Sequence, residues 1–182
     1  MNRPRILIAG IGNIFLGDDA FGVEVAQRLL RRQNRPDVRV VDFGIRGLDL
    51  VYALLDGCET VIIVDAVPRG DGPPGTLYVL EPPLDQLGDT SPLIEAHSMD
   101  PVKVLRTAVA LGATPRQVLI VGCEPTPIAE SLDGAMPVSI SVEVSAAVNE
   151  AIALIDSLVE RIAGPIQPGE TDAGKELKTW LH

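Results

Sequence analysis

The stretch Arg5-Ile-Leu-Ile-Ala-Gly-Ile-Gly-Asn-Ile-Phe-Leu-Gly-Asp-Asp-Ala-Phe-Gly22 decides the fold. A short apolar run, Ile6 to Ala9, leads through a glycine-rich turn into residues suited to a helix. That succession opens an open α/β sheet. The start of such a helix carries unpaired N–H groups and a partial positive charge, which ordinarily makes the turn an anion site. Here Asp18 and Asp19 already fill it with negative charge, and the lysine of a Walker loop is missing. A metal cation suits the place better than a nucleotide phosphate.

Outward from this junction, strand-like runs alternate with helix-like ones. Ile6 to Ala9, Val38 to Phe43, Val61 to Asp65, Thr76 to Leu80 and Val118 to Cys123 read as five strands. Most are continuous Val/Ile/Leu runs, the pattern of strands covered on both faces. The expectation is a single three-layer α/β domain, with a mostly parallel, twisted five-stranded sheet between helices. The segment Val67 to Gly75 lacks the length and composition of a crossover helix, so the fourth strand is expected to be antiparallel.

The first helix is expected from Asp18 to the Arg31-Arg32 pair, capped by Asp18, with Phe21, Val25 and Leu29 along one face. Gly22 would let it approach the sheet closely. A second helix follows Gly44-Ile-Arg-Gly47 and stops near Asp56-Gly57. A third starts at Asp100-Pro101 and turns Val102, Leu105 and Val109 inward. The last and longest carries Val148, Ile152, Ile155, Val159 and Ile162 at spacings of four and three. Residues 1–163 are read as the domain and 164–182 as a polar flexible tail, with a short helix from Glu176 to Leu181.

Composition narrows the function. With 182 residues and 46% hydrophobic content, the chain builds one domain with a full core. A net charge of −10 and no basic stripe argue against nucleic acid as a partner. Cys58 and Cys123 stand far apart without CxxC spacing, which points to free thiols. No run approaches the roughly 20 apolar residues that span a bilayer, so the expectation is a cytoplasmic protein without membrane insertion.

In open α/β sheets ligands bind beyond the carboxyl ends of the strands, where neighbouring connections leave in opposite directions. With the first strand flanked by the second and third, that crevice lies between the ends of strands one and three. Asp19 follows the first, and Asp65 closes the run Val61-Ile-Ile-Val64 of the third. An aspartate ending a buried strand either caps a turn or binds a partner. Of two histidines, His182 is terminal and His97 precedes the third helix, whose positive end favours a neutral ring. Each has an ordinary structural role available. Together Asp19, Asp65 and His97 supply two oxygens and one nitrogen, a set that suits a divalent transition metal with open positions. Arg46, between Gly44 and Gly47, is a candidate to hold a substrate backbone or carboxylate, or else a solvated loop arginine.

Gly10-Ile-Gly-Asn-Ile-Phe-Leu-Gly-Asp-Asp19, the strand end Ile-Ile-Val-Asp65-Ala and the segment His97-Ser-Met-Asp100 together resemble the hydrogenase maturation endopeptidases, in the same order over nearly the whole chain. The resemblance implies an endopeptidase that removes a C-terminal extension from the precursor of a nickel-iron hydrogenase large subunit after nickel insertion. It implies Asp19, Asp65 and His97 as catalytic and metal-contacting residues, with nickel borne by the substrate rather than held permanently. Some members carry glutamate at the position of Asp19. The family's Gly-x-x-Gly element falls on Gly44-Ile-Arg-Gly47, with Gly44, Arg46 and Gly47 as substrate-binding candidates. A non-catalytic module that checks nickel or escorts the precursor is the alternative of another class.

Overall fold

The fold follows from which side chains can be withdrawn from water at once. In the computed structural model, described over residues 4–32, 35–84, 101–127 and 139–164, the strands are β1 (Ile6–Ile11), β2 (Val38–Gly44), β3 (Thr60–Ala66), β4 (Leu77–Leu80) and β5 (Gln117–Cys123). The helices are α1 (Phe21–Leu30), α2 (Gly47–Leu55), α3 (Pro101–Ala110) and α4 (Val142–Ala163). The strand order is β2-β1-β3-β5-β4, so β1 lies between β2 and β3, the condition under which the crevice falls at the ends of β1 and β3. All pairings are parallel except β4 with β5, which is antiparallel, also as predicted.

Every residue of β1 is buried, because its two faces meet two different helical layers. Ile6 and Ile8 join Phe21, Val25 and Leu29 of α1 and the inner face of α4. Leu7, Ala9 and Ile11 join Leu50, Val51 and Leu54 of α2 and Val104, Leu105 and Ala108 of α3. This is the three-layer arrangement that continuous apolar strands require. The α4 positions Val148, Ile152, Ile155 and Val159 are buried, and Ile162 packs at the margin. Ser141 caps that helix, its hydroxyl oxygen accepting from the Val144 amide, and Gly164 at φ +79° follows its end.

Three details depart from the sequence reading. The first helix does not begin as an α-helix at Asp18; a 3-10 turn, Gly17–Ala20, precedes α1. The inner face of α3 is Val104, Leu105 and Ala108, which join the α2 side of the core, with Val102 and Val109 only half-buried. The fourth strand starts at Leu77, since the Thr76 hydroxyl and amide both turn back to the Pro73 carbonyl. The expected helix over 176–181 and the tail from 165 onward lie outside the described residues.

Two glycines set the contact of α1 with the sheet. A Cβ on Gly22 would overlap the carbonyl oxygens of both Val64 and Ile11, and one on Gly10 would overlap the Gly22 carbonyl and the Ala26 methyl. Helix α1 therefore rests on the ends of β1 and β3 with backbone against backbone, as predicted for Gly22. Since the obstructing atoms are main chain, relaxation is limited. Gly22→Ala is expected to cost about 1–3 kcal/mol of stability, to be read as a lowered urea midpoint with unchanged m-value.

Candidate active site

The site grows from the way β1 ends. After Ile11 the chain turns through Gly12 at φ +129°, whose amide donates to the Gly44 carbonyl at 3.0 Å and so joins the end of β1 to the end of β2. A side chain on Gly12 would overlap the Asp19 carbonyl oxygen. Asn13 then folds an Asx turn, its Oδ1 accepting from the Phe15 amide at 3.0 Å. The Asn13 amide donates to Oδ2 of Asp19 at 2.6 Å. Asp19 is thus fixed by the turn it follows and is only half-buried. A carboxylate with about four acceptor positions retains capacity beyond that one bond.

Asp18 takes a role different from the one expected. The residue before the 3-10 turn is Leu16, no side chain caps the turn, and Ala20 precedes α1. The Asp18 carboxylate instead leaves its own helix. Its Oδ1 accepts from the Ser141 amide at 2.6 Å, and its Oδ2 accepts from the Thr126 amide at 2.8 Å and the Ser141 hydroxyl at 3.1 Å. Asp18 is 9% exposed, and these donors satisfy it better than the first turn of its own helix would. Burial pushes its pKa up, but the hydrogen bonds from Ser141 and Thr126 outweigh burial and hold it below the ordinary 3.8.

Asp65 is the sixth residue of β3 and 6% exposed. The β1–β3 ladder ends at Gly10 opposite Val64, so Asp65 stands one residue past it, in register with Gly122 of β5. The 3-10 turn that carries Asp19 packs on β3, and Gly22 rests on Val64. Asp19 and Asp65 therefore belong to the same carboxyl edge, at the ends of adjacent strands. His97 lies outside the described residues, four positions before Pro101 of α3. Among the described residues no three His, Cys, Asp or Glu side chains converge as a metal site.

The second loop at this edge is Gly44-Ile-Arg-Gly47. Gly44 adopts φ +55°, and its carbonyl receives the Gly12 amide. Gly47 is the first residue of α2. The Arg46 guanidinium folds back: Nε donates to the Phe43 carbonyl at 3.1 Å, another nitrogen donates to the Asp42 carbonyl, and Asp49 pairs with it at 3.3 Å. Arg46 braces its own loop while lining a groove of about 340 Å³ with Asn13, Phe15, Asp42 and Ile45. That groove reaches the Asp19 turn through Gly12 and Asn13.

Two contributors escaped the sequence reading. Asn13 was legible only as the Asx-type residue of a glycine turn. Glu124, 6% exposed just past β5, accepts from the Arg69 and Gly70 amides and the Tyr78 hydroxyl at 2.9–3.2 Å, and so shapes the loop that follows Asp65. Those bonds, that of Gly70 foremost, hold its pKa below the ordinary 4.5 against the upward pull of burial. Cys123 is buried, and burial pushes its thiol up to about 12, which removes it as a nucleophile near neutral pH.

An open α/β sheet with acids gathered at its carboxyl edge defines a broad class of ligand-binding enzyme folds. The hydrogenase maturation protease model matches residues 23–158. Hydrogenase expression/formation protein HoxM of Azotobacter vinelandii is 30% identical over 187 residues, covering 96% of this chain and 89% of that protein. Hydrogenase 2 maturation protease of Escherichia coli is 32% identical over 173 residues, covering 93% and 94%. Among solved structures, the hydrogenase maturating endopeptidase HybD from E. coli superposes with a TM-score of 0.64 at 27% identity, covering 88% of this chain and 94% of that one. A hydrogenase 2 maturation peptidase from a Thaumarchaeota archaeon gives 0.61 at 30% identity, covering 88% and 99%. The chain belongs to the hydrogenase maturation protease family.

The depressed carboxyls make a pH prediction. A group whose folded pKa lies below its unfolded value stabilises the fold above the unfolded pKa, and that contribution disappears as pH falls through the folded pKa. For Asp18 and Glu124 the loss is expected below the ordinary values of 3.8 and 4.5. Urea unfolding at pH 7 and at pH 3 should show a drop on acidification, and Asp18→Asn should reduce that drop.

Proposed function

We propose that this protein is an endopeptidase that removes a C-terminal extension from the precursor of a nickel-iron hydrogenase large subunit, after nickel has been inserted. Family membership supports the reaction class. The observation that supports the reading at the level of residues is that Asp19, in the turn after β1, and Asp65, near the end of adjacent β3, share one edge of the sheet, the first half-buried and the second 6% exposed. His97, as the nitrogen donor, completes the set.

In this reading nickel arrives as part of the substrate, and Asp19, Asp65 and His97 grip it from the protein side. A mixed oxygen and nitrogen set suits a borderline divalent metal. The scissile peptide is thereby held beside the metal. The metal, or water polarised by it, then promotes hydrolysis, since coordination can lower the pKa of water from 15.7 to about 7. The groove between the Asn13–Phe15 turn and the Gly44–Gly47 loop receives the precursor's chain, with Arg46 bracing its wall. Residues 1–163 carry the activity, and the reaction takes place in the cytoplasm. No described helix is long and apolar enough to cross a membrane.

Purified protein mixed with nickel-loaded precursor should shorten the large subunit without other components, as read by mass analysis of its C-terminus. Nickel-free precursor should remain full length, and its cleavage at the same rate would contradict recognition of substrate nickel. Asp19→Ala, Asp65→Ala and His97→Ala should each leave unprocessed precursor in cells. Normal processing in all three would sink the residue assignment. A module that only checks nickel would bind the loaded precursor and leave its mass unchanged.

A further inference from the structure

We infer that Asp18 is a positioning residue for cleavage: its carboxylate ties the turn bearing Asp19 to the strand beside Asp65 and so fixes the two candidate acids relative to each other. This inference rests on the protease reading above.

The geometry begins with the turn. Asp18 and Asp19 are consecutive in the 3-10 turn Gly17–Ala20, where successive side chains diverge by about 120° around the axis. Their bonds agree with that divergence. Asp18 reaches Thr126 and Ser141, whereas Asp19 meets the amide of Asn13. A rotation of the turn would move both carboxylates together, so anchoring one sets the direction of the other.

The anchor is attached where it matters. Thr126 lies three residues beyond the end of β5, and β5 holds Gly122 in register with Asp65. The bond from the Thr126 amide to Oδ2 of Asp18 therefore joins the Asp19 turn to the segment that leaves β5, the strand on the far side of β3. The Ser141 amide and hydroxyl add a second attachment, at the capped start of α4. Neither oxygen of Asp18 lacks a donor, so it acts through these bonds rather than as a further metal ligand. An asparagine cannot replace it, because its amide would turn N–H groups toward donors that need an acceptor.

The test uses the full chain and nickel-loaded large-subunit precursor, well below the melting transition. Asp18→Asn is expected to lower kcat on the order of 100-fold, as a misplaced catalytic group does, with KM within about twofold. Since Asp18 acts through Asp19, its effect should combine less than multiplicatively with that of Asp19→Glu. A merely structural residue would lower the melting temperature and leave kcat of the folded protein unchanged. Wild-type kcat in folded Asp18→Asn, or strictly multiplicative effects, would overturn the inference. Should that variant not fold, Ser141→Ala removes one of the donors to Asp18; kcat down by on the order of tenfold is expected, and an unchanged kcat overturns it. Wild-type protein that leaves the precursor intact would instead refute the protease reading itself.

Discussion

Contact of backbone with backbone, where Gly22 of α1 lies on the carbonyls of Ile11 and Val64 and Gly10 lies beneath, is the constraint on which this molecule's geometry depends. Interiors are packed nearly as densely as crystals, so an added methyl there has nowhere to go. The contact spans two strands at once. It sets the height of α1 over the sheet, and with it the turn that carries Asp18 and Asp19. That turn brings Asp19 to the carboxyl edge where β3 ends in Asp65.

Around that seat, the loops at the carboxyl edge are held by polar groups acting on main chain. The Gly12 amide joins the ends of β1 and β2, Asp18 joins the β1–α1 turn to the end of β5 and the start of α4, and Glu124 gathers the loop after β3. Buried carboxylates are costly unless paired, and here the pairing is with amides that burial would otherwise leave without acceptors. The same exchange lowers the pKa of both acids and gives irregular segments a defined course.

Periodicity and continuity made the architecture legible. The unbroken runs of β1, β3 and β5 announced two-sided burial, Phe21, Val25 and Leu29 announced the inner face of α1, and the short link after Asp65 announced an antiparallel strand. Gly22 could be read because a glycine within a helix asks for a reason. The destination of Asp18 could not be read, because its donors lie 108 and 123 residues away and only the closed fold brings them near. Local rules assigned it to the nearest helix end, and tertiary structure overrode them. The inner face of α3 was misplaced for a related reason: hydrophobicity favoured Val109, whereas the fold buries Ala108 with Val104 and Leu105.

The folded-back arginine of the second loop has a consequence at the margin of the sheet. Among the described residues strand β2 pairs on one side only, with β1, which leaves a row of its main-chain groups without a strand partner there. Arg46 occupies the carbonyls of Asp42 and Phe43 at one end of that row, and exposed Arg39 places a charge within it. These cations make that flank less receptive to indiscriminate strand addition.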